Sequence, residues 1–405
     1  MAGTLNLDEV RKCFPALAGE QVYFDNAGGS QTLKAVAERI RDYLLNTNVQ
    51  LGATYATGKK STGRYDEGYT AAAKYIGAER GEVVLGPSTT QLFRNVSYAL
   101  RFQEGDELIV SALDHEANIA PWVDLAERQN LVIKWWKPDT TANPSAKTNP
   151  KLLASDLASL LSPRTRLVTC THASNILGSI HDIKAIASAV HAHDPSTLVC
   201  VDAVAYAPHR PVDVKDLGVD LYAFSWYKVY GPHLAMLYAS PAALAQLASL
   251  GHFFNPRTTL EQKVGLAAAS YELVHALPAV AAYLEGRWEG IAAQERALQA
   301  ALLDWLNARE GVTVYGERSS DGAVRVPTVS FRVEGWGARE LVEAVEAEGA
   351  PFGFRWGGFY SVRLVDELLG LGEDGVVRVS MVHYNTVDEV KGLIAALEKV
   401  LDGKK

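Results

Sequence analysis

The stretch SWYKVYGPH (residues 225–233) decides how this chain folds. An apolar run, LYAF (221–224), stands directly before it. A run that is apolar at consecutive positions reads as a strand covered on both faces. Lys228 follows that strand at once, between Tyr227 and Tyr230 and ahead of a Gly231-Pro232 turn. A lysine in such a place is either an awkward surface residue or a nucleophile.

Outward from this stretch, similar runs recur: VYF (22–24), EVVLG (82–86), ELIVSA (107–112), LVIKWW (131–136), RLVTCTH (166–172), TLVCVD (197–202) and LAMLYA (234–239). The segments between them carry helical spacing, as in DIKAIASAVHAH (182–193). Such βαβ alternation predicts an α/β fold, a mostly parallel sheet flanked by helices. Ligands of such sheets sit beyond the carboxyl ends of the strands. After about residue 273 the texture changes. A long helical stretch (277–309) leads into VTVYG (312–316), TVSFRV (328–333), a helix over 338–348, FGFRW (352–356), VVRVSMV (376–382) and a last helix over 386–401. This predicts a large domain over 21–272, and a smaller α+β domain built from 1–20 and 273–405. KPDTTANPSAKTNP (137–150) reads as a surface loop.

Composition narrows the function classes. With 405 residues, 48% of them hydrophobic, the chain can bury the cores of one large and one smaller domain. A net charge of -8 without any basic cluster argues against nucleic acid as a partner. No apolar run is long enough to span a bilayer, and MAGTLNLDEVRKCFPAL (1–17) lacks the pattern of a signal peptide. Only Cys13, Cys170 and Cys200 occur, with no CxxC pair. That fits a reducing, cytoplasmic setting with neither a disulfide frame nor a cysteine zinc site. No metal site is expected. HAHD (191–194) reads as a solvated helix end. ATGKKSTG (56–63) lacks the glycine spacing of a P-loop and reads as a substrate-side loop.

Four strand ends carry polar residues. After EVVLG, apolar positions 92, 93, 96 and 100 start a helix near Ser88 or Thr89. These hydroxyls either cap the helix or, with its free N–H groups, cradle a phosphate. His115 follows a second strand, between two acids, and is either structural or a flat ring for stacking. Asp202 closes a third, where a carboxylate is costly without a partner. Lys228 follows the fourth. Together they are the parts of a pyridoxal phosphate site. The lysine condenses with the cofactor's aldehyde, the acid holds the pyridine nitrogen protonated, the ring stacks, and the helix start takes the phosphate.

With these residues assembled, the chain resembles the class V aminotransferases, a group of fold-type I pyridoxal phosphate enzymes, in their cysteine desulfurase-like branch. YFDNAGGSQ (23–31), GPSTTQLF (86–93), DHEANIAPW (114–122), THASNILGSIHDI (171–183), residues 209–233 and VVRVSMVHYNT (376–386) carry the resemblance. It implies a fold-type I transferase, a homodimer, and catalytic roles for Lys228, His115 and Asp202. It further implies Ser88, Thr89, Thr90, Ser225 and Tyr227 around the phosphate, with Arg257 reaching that phosphate across the dimer. Asn175 and Arg378 would bind the substrate's α-carboxylate, with Arg355, Asn26 and Ala27 on the substrate side.

The departures bear on the reaction. Desulfurases carry a sulfur-accepting cysteine in a loop of the small domain, and the matching stretch FRWGGFYSVRL (354–364) has none, with Tyr360 near its place. Ala205 stands where the family has glutamine, Tyr227 where it has histidine and Arg257 where it has threonine. These oddities are shared with the decarboxylative aldolase of the fungal ustiloxin pathway, which the chain also resembles in IKWW (133–136), PHRPVDVK (208–215) and FSWYK (224–228). This second resemblance implies loss of the side-chain carboxylate of L-aspartate and addition of the resulting carbon nucleophile to an aldehyde, giving a γ-hydroxy amino acid. Departing sulfur needs a thiol acceptor, whereas carbon dioxide needs none. The expected activity is thus a pyridoxal phosphate lyase or aldolase acting at Cβ of an acidic L-amino acid. Its rivals are a cysteine desulfurase, a selenocysteine or cysteine-sulfinate lyase, and an epimerase or cyclase. Trp226, Phe253, Phe254, Trp356, Phe359 and Tyr360 are candidate walls for an aldehyde, against plain core packing.

Overall fold

The computed structural model describes residues 5–140 and 144–403. Residues 141–143 of the expected surface loop, with 1–4 and 404–405, lie outside the described residues. The strands in chain order are β1 (Val22–Tyr23), β2 (Val83–Gly86), β3 (Glu107–Ser111), β4 (Val132–Trp136), β5 (Thr165–Thr171), β6 (Leu198–Asp202), β7 (Leu221–Ser225), β8 (Ala235–Ala239), β9 (Val312–Tyr315), β10 (Thr328–Val333), β11 (Phe352–Gly353), β12 (Arg355–Gly357) and β13 (Val376–Ser380).

Seven of them form the main sheet in the order β2-β8-β7-β6-β5-β3-β4. Only β8 runs against its neighbours, so the other six point their carboxyl ends to one edge. The sequence reason is visible in β6 and β7. Both are buried at every position, as strands sandwiched between helical layers must be. The helix Ile183–His193 supplies one such cover. Asp182 caps it by accepting from the Ala185 amide at 3.0 Å, and Ile183, Ile186, Ala187 and Val190 face inward at helical spacing. Register then sets the chemistry, because β5 and β6 align Thr171 with Asp202 at the same edge.

The second sheet is antiparallel, in the order β12-β13-β10-β9. Its core gathers Val329, Phe331 and Val377 with Leu298, Leu302, Leu306 and Leu393 from the helices Trp288–Ala308 and Val387–Gly403. Phe24 joins this core, whereas Val10 and Phe14 join the core of the main sheet.

Two expectations need correction. The helical stretch 277–309 is two helices, Tyr271–Leu284 and Trp288–Ala308. Gly286 between them has φ 73°, a left-handed conformation that ends a helix. The first of the two packs against the helices Lys34–Asn46 and Ala56–Tyr75. That approach is so close that a Cβ on Gly68 would stand 2.2 Å from the Val274 carbonyl oxygen. Residues 56–63 form no loop but the first two turns of the helix Ala56–Tyr75. Among the described residues no helix is long and apolar enough to cross a membrane.

Candidate active site

Five strand ends, those of β2, β3, β5, β6 and β7, meet in one cleft. It is lined by Ser88, Thr89, Thr90, His115, Asn175, Asp202, Ser225, Tyr227 and Lys228, with Ala117, Thr171, Ala173, Val204 and Ala205 filling the gaps. β2 delivers the hydroxyls. Ser88 caps the helix Thr89–Ala99, accepting from the Gln91 amide at 3.1 Å, and it lines the cleft as well. Thr89 Oγ1 and Ser225 Oγ lie 2.8 Å apart, so the ends of β2 and β7 close together over this helix start. A helix N-terminus with hydroxyls around it suits a phosphate.

The charged groups are strongly perturbed. Burial, and then the Arg378 charge, push Lys228 down from its ordinary 10.5 to about 8, while Asp202 and Asp25 pull the other way. Burial raises Asp202 to about 6 against the Val204 amide, which donates to Oδ1 at 2.9 Å, and against Lys228. His115 falls to about 4 through burial, Lys228 and Arg378, so it is neutral at pH 7. Its Nδ1 accepts from the Ala117 amide at 3.0 Å. Beside it, Asp114 is buried and raised to about 8, chiefly by desolvation, although the Asn118 amide and the Thr171 N–H donate to it at 2.6 and 3.1 Å. Tyr227 stacks on His233 with ring centres 4.7 Å apart, and Lys228 Nζ lies 5.9 Å from the Tyr227 ring.

A second layer borders the cleft. Arg378 is 2% exposed and donates to Asp25 Oδ1 at 2.8 Å and to the Asn175 carbonyl at 3.2 Å. Arg355 lies 3.5 Å from the other Asp25 oxygen and is over half exposed. Asn175 is tied to the loop after β12, donating to the Phe359 carbonyl at 3.0 Å and accepting from Ser361 Oγ at 2.9 Å.

Not every expected residue comes to the cleft. Asn26 is buried and spent on the fold: its amide donates to the Tyr23 and Ser380 carbonyls and to Asn385 Oδ1, and its oxygen accepts from the Tyr384 hydroxyl. The Ala27 amide donates to Ser380 Oγ at 2.9 Å. Both brace the small sheet, and neither lines the cleft. Arg257 is exposed and outside the cleft of its own chain. The aromatic candidates also separate. Trp226 is fully buried between Tyr75 and Phe224, and Phe253 and Phe254 stand exposed at 88% and 69% away from the cleft. Trp356 packs under Arg339. Phe359 lies on Arg378, and Tyr360 touches His115 with ring centres 5.2 Å apart. Asp25 and Asp114 escaped the reading of the sequence. The need of a buried arginine for an anion would have pointed to Asp25, which sits in the motif YFDNAGGSQ.

A family model described as aminotransferase class-V matches residues 22–393. The chain belongs to the class V aminotransferase family. This family member is 55% identical over 408 residues to the aminotransferase-like protein FGM3 of Gibberella zeae, over 99% of this chain and all of that one. It is 37% identical over 408 residues to the cysteine desulfurase-like protein ustD of Aspergillus flavus, over 99% of this chain and 92% of that one. Among solved structures it is similar to the apo cysteine desulfurase of Thermococcus onnurineus NA1, with a TM-score of 0.87 and 26% identity across the whole of both chains. The class V aminotransferase is a cysteine desulfurase-like enzyme that depends on pyridoxal phosphate. The cleft fits that cofactor. It offers a lysine whose amine is easily uncharged, a buried acid lacking a fixed cation, a flat neutral ring, and hydroxyls at a helix start.

Proposed function

We propose that this enzyme removes the side-chain carboxylate of an acidic L-amino acid such as L-aspartate and couples the product carbon to an aldehyde, yielding a γ-hydroxy amino acid. The observation that carries this reading is a lysine–acid–imidazole cleft without a reachable thiol. Cys170 and Cys200 are fully buried in β5 and β6, where desolvation pushes both thiols well up, and Cys13 lies outside the cleft. Sulfur leaving from a cysteine substrate would have no protein acceptor, whereas carbon dioxide needs none.

In this reading Lys228, Asp202 and His115 face the reacting atoms. Thr89, Thr90, Ser88, Ser225 and Tyr227 hold the phosphate end, and Arg378 with Asn175 receives the α-carboxylate. Arginine suits that task because its fork meets a carboxylate at two points. When bound, pyridoxal phosphate accepts the electron pair released at the substrate's α-carbon. Lys228 takes the α-proton, and a lysine poised near pH 8 carries a useful fraction of free amine at neutral pH. Asp202 would keep the cofactor's pyridine nitrogen protonated, and the neutral His115 would give a flat face for the ring to stack on. The bond from Cβ to its carboxylate breaks, and carbon dioxide leaves. Cβ keeps the pair and adds to the aldehyde carbon, whose oxygen takes a proton. The resemblance carried by PHRPVDVK (208–215) and FSWYK (224–228) supports the reading, as does the 37% identity to the cysteine desulfurase-like protein ustD. We further infer a homodimer, in which the exposed segment carrying Phe253, Phe254 and Arg257 meets a second copy.

The test supplies cofactor-loaded enzyme with L-aspartate and an aromatic aldehyde, and follows carbon dioxide and the amino acid product by mass spectrometry. The reading expects equimolar carbon dioxide and a hydroxy amino acid carrying the aldehyde's carbons. Alanine and sulfide from L-cysteine, with no carbon dioxide from aspartate, would transfer the enzyme to the desulfurases, which several curated relatives are named.

A further inference from the structure

The arginine assigned above to the substrate's carboxylate is covered. The Phe359 ring lies on the Arg378 guanidinium, its centre 3.6 Å from Cζ. Arg378 Nε is buried with no acceptor. The Asn175 amide, the other donor assigned to that carboxylate, is spent on the Phe359 carbonyl. One loop residue thus covers the face of one carboxylate donor and engages the amide of the other.

The loop is held in an unfavourable shape. Phe359 and Tyr360 have φ of 46° and 60°, left-handed values at two successive bulky residues. Such backbone is rarely populated by anything but glycine, asparagine or aspartate, and it persists only where surrounding contacts impose it. Three contacts hold it. The Glu116 amide donates to the Tyr360 carbonyl at 2.8 Å, Ser361 Oγ donates to Asn175, and Arg363 lies over the Trp135 ring at 4.4 Å. On the other side Gly357 (φ 124°) and Gly358 lead into the strained pair, with open space where a Cβ on Gly357 would go. A strained loop that is entered through two glycines and latched through a substrate-binding amide is released when that amide finds a better acceptor. A carboxylate is a better acceptor than a carbonyl, since hydrogen bonds to charged groups are the stronger ones.

We propose that Phe359 is a specificity-determining residue that occupies the seat of the α-carboxylate, so a substrate reaches Arg378 and Asn175 only by displacing it. Ligands without a carboxylate cannot exchange with the ring and leave the loop shut. A carboxylate takes the Asn175 amide and the free Arg378 Nε together, and the aromatic pair relaxes from its left-handed backbone as it swings away. The proposal rests on the assignment of Arg378 and Asn175 to the α-carboxylate, and the experiment separates the two ideas.

The experiment measures binding of succinate, an unreactive dicarboxylate, to cofactor-loaded enzyme by titration calorimetry. If the ring competes with the carboxylate, Phe359→Ala binds succinate up to tenfold more tightly than the wild type, equivalent to about 1.4 kcal/mol. Phe359→Leu, which keeps the bulk but not the ring, falls between them. Succinate also speeds amide hydrogen exchange at residues 357–363 of the wild type. Equal or weaker binding by both Phe359 variants makes the ring a fixed wall and overturns the proposal. So does unchanged exchange in the loop, or no succinate binding to either wild type or variant. Arg378→Gln, which removes the charge, reports on the underlying assignment: binding that survives this change moves the carboxylate elsewhere and removes the basis of the proposal, whatever Phe359 does.

Discussion

Replacing Lys228 by methionine is expected to make the cofactor-free protein more stable. A lysine amine near 8 instead of 10.5 means that the fold resists the proton which the unfolded chain holds freely. Between pH 8 and 10.5 the unfolded chain binds more protons, so stability rises with pH across that window. Below pH 8 the penalty is present in full. The downward shift corresponds to about 3 kcal/mol at neutral pH, at 1.36 kcal/mol per unit. Part of this is returned on substitution, because Lys228 helps to keep the buried Asp202 ionised. The net gain from Lys228→Met at pH 7 is therefore on the order of 2 kcal/mol, the methionine filling the space of the lysine stem without its charge. The assay is the urea midpoint of cofactor-free wild type and variant at pH 7 and at pH 10. The variant should lead at pH 7, and the gap should shrink toward pH 10. A variant less stable than the wild type at pH 7, or a gap that ignores pH, would mean that Lys228 sits comfortably charged, and the argument for a poised amine would fail.

Three more outcomes are expected. Asp202→Asn should retain cofactor, since Lys228 and the hydroxyls remain, but slow exchange of the substrate's α-proton into heavy water by roughly 100-fold, the scale of one well-placed catalytic group, as read by proton NMR. Thr89→Val removes one of two hydroxyls 2.8 Å apart at the helix start, so cofactor should dissociate roughly tenfold faster on dialysis, the worth of a hydrogen bond to a charged group. His115 has its pKa lowered to about 4, so it stays neutral from about pH 5 upward, and a pH profile of kcat/KM should show no limb near the ordinary histidine value of 6.5.

Much of the site was legible because strand ends are legible. Asp202, Ser225 and Lys228 stand within three residues of fully buried apolar runs, and the parallel sheet carries every such end to one edge. What the sequence could not reveal are contacts made by distant segments at a specific register. Asn26 looked like a substrate residue from its motif, yet three donor contacts and one acceptor contact, mostly to residues 380–385, consume it. The helix break at Gly286 was hidden because the apolar spacing resumes in step on the far side of a three-residue turn. The aromatics carried no sequence signal to sort them. Trp226 and Tyr360 differ only in what the fold lays against them, the core in one case and His115 in the other.

The charges of the cleft also bear on the order of events. Lys228 is pulled down first by burial and then by Arg378, and held up by Asp202 and Asp25. Arg378 in turn leans on Asp25, and desolvation brings it down to about 10. A carboxylate that docks on Arg378 offsets the second of these two causes, the arginine's charge. On the proposed assignment the nitrogen is therefore least basic before substrate arrives and most basic afterwards, when it must take the α-proton. The exchange of Phe359 for a carboxylate would sharpen this switch, since an aromatic face moderates a cation far less than an anion does. Substitution of Phe359 alone should thus leave the pKa of Lys228 almost unmoved, while succinate should raise it. The pH dependence of amine-selective labelling of Lys228 in the cofactor-free protein, with and without succinate, reads both, and an unchanged midpoint with succinate bound would break the link between the arginine and the lysine.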